Sequence, residues 1–292
     1  MILMSGTEVA ASLERRLAEE VEGLRRRGCQ PTLAVLLVGD NPASQSYVRA
    51  KLKTAERVGI QARHYELPES VRQPELLERL RELNGDPEVH GILCQLPLPA
   101  HLNADEAVQQ IAPLKDVDGL TAASMGLLAL GTPRFIPCTP AGILEMLRFY
   151  ELPVAGKTAV VIGRSNIVGR PISILLSQRD WNATVMLCHS KSQHLAEWTR
   201  RADLLVAAMG IPEFVTGDMV REGAVVVDVG INRVPDPGRP KGYRLCGDVN
   251  HGQVAPKCLA ITPVPGGVGP MTVTMLMDNT VKAARLQQGL VS

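Results

Sequence analysis

Gly163 and Gly169 are separated by five residues in Thr158-Ala-Val-Val-Ile-Gly163-Arg-Ser-Asn-Ile-Val-Gly169-Arg-Pro171, and Arg164 and Ser165 fill the turn between them. The apolar run reads as a buried strand and the glycines as a tight turn. Gly169-Arg-Pro171 reads as the start of a helix, where a proline is well placed. A strand, a glycine turn and a helix N-terminus together receive a dinucleotide pyrophosphate. The spacing is not that of the common G-x-G-x-x-G. No Lys-Ser/Thr follows Gly169, so a Walker-type phosphate loop is excluded. Gly163, Arg164, Ser165, Ile167, Val168 and Gly169 are the candidate cofactor residues of this turn.

The next apolar strand ends at Cys188-His189-Ser190-Lys191. Sites that prefer NAD place an acid near this point, to accept from the ribose 2′-OH. None is present, and Arg164, Ser165, His189 and Ser190 are suited to surround a 2′-phosphate. The expected cofactor is therefore NADP, the plain alternative being a neutral surface turn. Asp228-Val-Gly-Ile-Asn232 ends a later strand and puts Gly230 and Ile231 where a nicotinamide or ribose would lie. Asp228 is equally suited to be a turn-forming acid.

A second group lies in the first half. Tyr47 and Lys51 are four residues apart and share a helix face. Their helix follows the strand ending at Val38, and Gln95 ends another strand of the same series. Ligands of open α/β sheets bind outside the carboxyl ends of the strands, so Tyr47, Lys51 and Gln95 are placed to line one cleft. A packed ring and a solvated amine would satisfy the same spacing. The Tyr-x-x-x-Lys of short-chain dehydrogenases is a poor analogy, because it follows the cofactor turn and here it precedes it. Gln95-Leu-Pro-Leu-Pro99 makes a stiff extended exit, either a rigid loop or a wall that holds Gln95. The loop from Thr262 to Thr272 offers backbone N–H groups at its glycines, or else serves as a hinge.

The elements that must carry these residues alternate. Helices are expected at 7–27, 44–58, 73–84, 141–150 and 272–287, and strands at 32–38, 60–67, 90–95, 158–162, 183–188, 203–207, 224–229 and 259–262. Continuous apolar strands between helices predict parallel sheets covered on both faces. Hydrophobic residues make up 45% of 292, enough for one large or two modest cores. A net charge of +1 and 3% aromatics leave neither a basic footprint nor a stacking platform for nucleic acid. The six cysteines form no C-x-x-C pair, so buried thiols in a reducing compartment are expected rather than a metal site. Met1-Ile-Leu-Met-Ser-Gly6 lacks the pattern of a secretory signal, and no apolar run is long enough to span a bilayer. A cytoplasmic protein without membrane contact is expected.

With these residues in place, the chain resembles the bifunctional methylenetetrahydrofolate dehydrogenase/methenyltetrahydrofolate cyclohydrolase family, the FolD type. Six motifs carry the resemblance, in this order: Tyr47-Val-Arg-Ala-Lys51-Leu-Lys53, Gly91-Ile-Leu-Cys-Gln95-Leu-Pro-Leu-Pro99, Lys115-Asp-Val-Asp-Gly119, Pro137-Cys-Thr-Pro-Ala-Gly142, the 163–171 turn and Thr262–Thr272. The resemblance implies two α/β domains, the second a Rossmann-like NADP-binding domain, with a folate cleft between them, and a homodimer. The implied boundaries are 1–138, completed by 271–292, for the catalytic domain and 139–270 for the other.

The resemblance further implies Lys51 as the acid/base, Tyr47 as the positioner, Gln95 as the partner that tunes Lys51, and Asp118 as the grip on the pterin. Tetrahydrofolate derivatives would touch Tyr47, Lys51, Cys94, Gln95, Leu96, Asp118, Pro265, Gly266, Gly267 and Thr272. Arg164, Ser165 and Ser190 would hold the 2′-phosphate, and Ile231 would contact the cofactor. Two positions depart from the family pattern, Ser5 and Asn250, where an aspartate is common. The rival readings are a monofunctional member of the same fold, a dehydrogenase of amino or hydroxy acids, and an NADP-binding regulator without catalysis.

Overall fold

Helices and strands alternate as expected in the computed structural model, which describes residues 1–239 and 242–290. The chain runs through β1 (Ile2–Leu3), α1 (Gly6–Arg26), β2 (Thr32–Val38), α2 (Pro42–Val58), β3 (Gln61–Leu67), α3 (Gln73–Gly85) and β4 (Gly91–Cys94). Two short helices, α4 (Ala104–Gln109) and α5 (Ala122–Ala129), lead to α6 (Cys138–Phe149). A second series follows: β5 (Thr158–Ile162), α7 (Gly169–Ser177), β6 (Thr184–Cys188), α8 (Leu195–Thr199), β7 (Leu204–Ala207) and β8 (Val225–Asp228). The remainder is β9 (Asn232–Pro235), β10 (Tyr243–Cys246), α9 (His251–Val254), β11 (Ala260–Ile261) and α10 (Val268–Gln287).

Two compact units result. One is Ala11–Cys138 with the chain from Val273 onward; the other is Met1–Ala10 with Thr139–Thr272. The boundaries expected from the sequence assign residues 1–10 to the first unit, and the structure corrects this. Ile2 and Leu3 pair in parallel with Ala260 and Ile261, so the first strand extends the sheet of the second unit. A two-residue strand has no periodicity to announce it.

In the first unit β3, β2 and β4 form a parallel sheet with β2 in the centre. Every residue of β2 is buried, which is why Thr32-Leu-Ala-Val-Leu-Leu-Val38 is a continuous apolar run rather than an alternating one. Leu76, Leu80 and Leu83 of α3 pack with Ala34, Leu36 and Ile92. Helix α2 starts two residues earlier than its apolar pattern suggests. Asn41 Oδ1 accepts from the N–H groups of Ala43 (2.9 Å) and Ser44 (3.2 Å), and Pro42 occupies the first turn.

In the second unit six parallel strands take the order β1-β11-β8-β7-β5-β6. From β5 the chain moves to β6 on one side and later to β7 on the other. This is the topological switch point at which such sheets bind ligands, and Gly163 follows β5 there. Val160, Ile162, Leu205, Ala207, Val226 and Ile261 share its core. The antiparallel pair β9–β10 is not among the expected elements, since its short, half-exposed strands carry little apolar signal.

Both departures from the family pattern are helix N-caps. Ser5 Oγ accepts from Glu8 N at 3.3 Å, and Asn250 Oδ1 from Gln253 N at 3.2 Å. Serine, asparagine and aspartate serve such positions alike. The six cysteines are free and buried. Among the described residues no helix is long and apolar enough to cross a membrane.

Candidate active site

Lys51 and Gln95 meet across the carboxyl edge of the three-stranded sheet. Helix α2 leaves β2 at that edge and carries Lys51 on its third turn, while Gln95 directly follows β4. Lys51 Nζ donates to Gln95 Oε1 at 2.8 Å. The other end of the Gln95 amide is committed, because Nε2 donates to Leu96 O at 2.6 Å. With its own backbone N–H bonded to Leu36 O at 2.9 Å, Gln95 is held at both main chain and side chain. The stiff Gln95–Pro99 exit therefore fixes the amide orientation with its oxygen toward the amine.

Burial lowers the Lys51 pKa from the ordinary lysine value, and the negative charge of Asp118 opposes that shift. Gln95 contributes a dipole and no net charge. Tyr47 shares the Lys51 face one turn earlier and is 44% exposed, so its ring is open to a ligand rather than packed as core. Cys94 is buried, and burial followed by the Asp118 charge pushes its thiol up to about 12. It can supply a wall, not a thiolate.

The two acids of Lys115-Asp-Val-Asp-Gly119 do different work. Asp116 is buried, and its carboxylate accepts from Gly119 N (3.0 Å), Leu120 N (3.2 Å), Thr121 N (2.9 Å) and Ser124 Oγ (2.6 Å). It builds the turn. Lys115 Nζ donates to Leu83 O (3.0 Å) and Asp86 O (2.6 Å), which ties the segment leading into this turn to the C-terminus of α3. Asp118 is half-buried and faces Lys51 and Cys138; burial raises its pKa, and Lys51 opposes the shift. The structural roles of Lys115 and Asp116 are not among the sequence expectations. A lysine and an acid beside an apolar valine were the available signal.

At the switch point of the other sheet, Gly163 has φ 111°, and a Cβ on it would stand 2.1 Å from Ala208 O. A Cβ on Gly169 would stand 1.9 Å from Gly163 O. Both glycines are thus demanded by close backbone approach. Ser165 Oγ accepts from Val168 N (3.2 Å) and Gly169 N (3.4 Å), so the hydroxyl caps α7. Its proton is still available to a ligand. Arg164 and Ile167 are exposed, and Val168 is buried. The end of β6 lies alongside, since Gly163 N donates to Cys188 O at 2.9 Å. His189 accepts through Nδ1 from Lys191 N at 3.1 Å, and Ser190 is exposed.

Asp228 resolves as a turn-forming acid. It is buried and accepts from Gly230 N (3.0 Å), Asp248 N (2.9 Å) and Val249 N (3.0 Å). Asp248, which sequence reasoning does not single out, accepts from Met209 N (2.6 Å), Gly210 N (2.9 Å) and Asn232 Nδ2 (2.9 Å). The two carboxylates knit the loops after β7 and β8 and leave Ile231 exposed at 42%. The glycine cradle, a helix N-terminus and the lack of an acid after β6 fit an NADP-type dinucleotide.

Pro265, Gly266, Gly267 and Thr272 lie in the same unit as this cradle. Gly266 O accepts from Thr7 N at 3.2 Å, and Thr272 Oγ1 bonds Thr139 Oγ1 at 2.9 Å. Tyr47, Lys51, Cys94, Gln95, Leu96 and Asp118 belong to the other unit.

Two family models match this chain. The tetrahydrofolate dehydrogenase/cyclohydrolase catalytic domain matches residues 4–118, and the NAD(P)-binding domain of the same family matches residues 137–288. The Bifunctional protein FolD of Burkholderia pseudomallei (strain 1106a) is 51% identical, covering 97% of this chain and 96% of its own length. That of Prosthecochloris aestuarii is 49% identical, covering 97% and 98%. Among solved structures, the bifunctional FolD enzyme of Campylobacter jejuni superposes with a TM-score of 0.93 at 46% identity, covering 98% of this chain and 99% of its own. The Trypanosoma brucei enzyme, complexed with NADP cofactor and inhibitor, superposes with a TM-score of 0.93 at 38% identity, covering 98% of each chain.

Proposed function

This chain belongs to the tetrahydrofolate dehydrogenase/cyclohydrolase family, and from that premise we propose that Lys51, oriented by Gln95, is its proton-transfer residue. The protein is a bifunctional enzyme of one-carbon metabolism. It oxidises 5,10-methylenetetrahydrofolate to the methenyl form with NADP and hydrolyses that product to 10-formyltetrahydrofolate. The observation that carries the assignment of Lys51 is the 2.8 Å bond from its Nζ to an uncharged amide oxygen.

A proton acceptor must be neutral at working pH, whereas an ordinary lysine at about 10.4 is almost wholly protonated there. Burial lowers Lys51, and a cationic methenyl substrate would lower it further. An amide partner orients the amine without the charge that would restore its proton. In the hydrolytic step water attacks the methenyl carbon, the new C–O bond forms, and Lys51 takes the water proton. The carbon–N5 bond then breaks as Lys51 returns a proton to N5. The remaining hydroxyl proton leaves to solvent, and a formyl group stays on N10.

In the oxidative step bound NADP supplies the hydride acceptor. The chain's own task there is placement, with Tyr47 and Asp118 assigned to hold the folate ring and Pro265, Gly266, Gly267 and Thr272 to line its pocket. Arg164, Ser165, His189 and Ser190 are assigned to the 2′-phosphate. Gly163, Ile167, Val168 and Gly169 are assigned to the pyrophosphate turn, and Gly230 and Ile231 to the nicotinamide end. A homodimeric, cytoplasmic enzyme with domains near 1–138 plus 271–292 and 139–270 completes the reading, with the first ten residues moved to the second domain. Its support is the family resemblance.

Purified protein mixed with methylenetetrahydrofolate and NADP should form NADPH, and separately added methenyltetrahydrofolate should decay faster than in buffer. NADPH without faster decay would leave a monofunctional dehydrogenase and remove the role given to Lys51. Cofactor binding with neither reaction would favour a regulator.

A further inference from the structure

We infer that Asn279, on the C-terminal helix α10, is a positioning residue that sets where Asp118 stands. The inference rests on the assignment of Asp118 to the folate ring. Asn279 is 5% exposed and has no part in the proton transfer or the cofactor cradle. Its Nδ2 donates to Val117 O at 2.8 Å and to Ile136 O at 2.9 Å, and it lies 3.8 Å from Cys138 Sγ. Both hydrogens of one amide are thus spent on two chain segments. Val117 is the residue before Asp118. Ile136 lies two residues before Cys138, whose thiol donates to the same Val117 carbonyl at 3.4 Å and stands near enough to Asp118 for the carboxylate charge to act on it.

The two segments touch directly just beyond Asp118. Gly119 has φ 73°, and a Cβ there would stand 2.9 Å from Pro137 N. Asp116 shapes the turn from one side, through Gly119, Leu120 and Thr121. The carbonyl on the other side of Asp118 is free of that turn and is held by Asn279 and Cys138. Without Asn279 a buried and a part-buried carbonyl each lose a donor, and the Val117 end of the peptide bearing Asp118 keeps only the weaker thiol contact of Cys138.

The test compares Asn279→Ala, Asn279→Asp, Asp118→Asn and the double variant Asn279→Ala/Asp118→Asn. Asn279→Asp keeps the volume but turns an acceptor toward two carbonyl oxygens, so it separates lost bonds from a lost packing contact. Both Asn279 variants should raise the KM for methenyltetrahydrofolate by about tenfold, as expected when one or two neutral hydrogen bonds stop supporting a contact. Affinity for NADP, measured by fluorescence titration, should stay within about twofold of the parent. In the Asp118→Asn background Asn279→Ala should add less than about twofold, because a residue that acts through Asp118 has little left to act on.

Multiplicative effects in the double variant, or an unchanged KM with a smaller active fraction, would overturn the inference while leaving the role of Asp118 intact. If Asp118→Asn itself leaves the KM unchanged, the assignment of Asp118 fails and this inference fails with it.

Discussion

The carbonyl oxygen of Gly163 occupies the place where a side chain at position 169 would begin, since a Cβ on Gly169 would stand 1.9 Å from it. Two residues separated by five in sequence are therefore in backbone contact. That contact brings the N-terminus of α7 down onto the strand end.

Gly169→Ala should lift that helix end away from the turn. The obstacle is backbone and not the tip of a flexible chain, so the main chain must shift. We expect NADPH affinity to fall by more than about tenfold, as when several backbone N–H contacts to a phosphate are misplaced. Thermal stability should drop by only a few degrees, because the loss is confined to one turn. NADPH fluorescence titration and a melting curve on the same sample check both. Unchanged affinity would remove the pyrophosphate from this cradle.

Arg164→Ala addresses the 2′-phosphate. Arg164 is exposed beside the cradle, and no acid stands after β6 to select a ribose hydroxyl. Losing one charged hydrogen bond should raise the KM for NADP roughly tenfold or more and leave that for NAD nearly unchanged. The ratio of the two constants is the measurement. An equal change for both cofactors would mean that Arg164 does not read the phosphate.

Much of this is legible in the chain because the relevant physics is local. Apolar runs such as Thr32–Val38 announce buried parallel strands, glycine spacing announces a turn, and the four-residue step from Tyr47 to Lys51 announces a shared helix face. What is not legible depends on contacts distant in sequence. Asp228 and Asp248 are twenty residues apart, yet the carboxylate of one accepts the backbone N–H of the other. Asp116 and Asp118 are indistinguishable by type, and what makes the first a turn builder is the set of N–H and hydroxyl donors that the folded loop brings to its carboxylate. Asn279 gives no sign in sequence that it serves a loop ending at Cys138. The pair β1–β11 joins distant parts of the chain through strands too short for a pattern.

Asp228 predicts a pH dependence of stability. Burial pushes its carboxyl up to about 6 from the ordinary 3.8, against the backbone N–H donors that favour the anion. The folded state then binds the proton more tightly than the unfolded state does. Its stabilising share is full below pH 3.8 and is lost as pH rises through 6. The size is about 3 kcal/mol for a pKa difference of roughly two between the folded and unfolded chain. The amide of Asp228→Asn cannot titrate, so the stability of the parent minus that of the variant should fall by that order between pH 4 and pH 7. Denaturant titrations across that range test this, and a flat difference would mean that the three backbone donors outweigh burial.

Gln95→Glu tests why the partner of Lys51 is an amide. A carboxylate at 2.8 Å from Nζ would stabilise the ammonium, adding to the pull of Asp118 and offsetting the lowering by burial. Because the neutral amine is the working form, cyclohydrolase activity rises with pH through the Lys51 pKa. The variant should move that limb to higher pH. For every step of one by which the Lys51 pKa rises, the neutral fraction below the limb falls about tenfold, so activity near neutrality should fall by at least that order and recover in alkali. Hydride transfer, which needs placement more than a proton acceptor, should fall less. Lys51→Ala should abolish the limb and the cyclohydrolase activity together, at every pH. Initial rates of methenyl decay from pH 6 to 9, corrected for uncatalysed hydrolysis, separate these cases. A Gln95→Glu variant that loses activity equally at all pH values would show that Gln95 holds the substrate or the loop, and that it does not set the charge of Lys51.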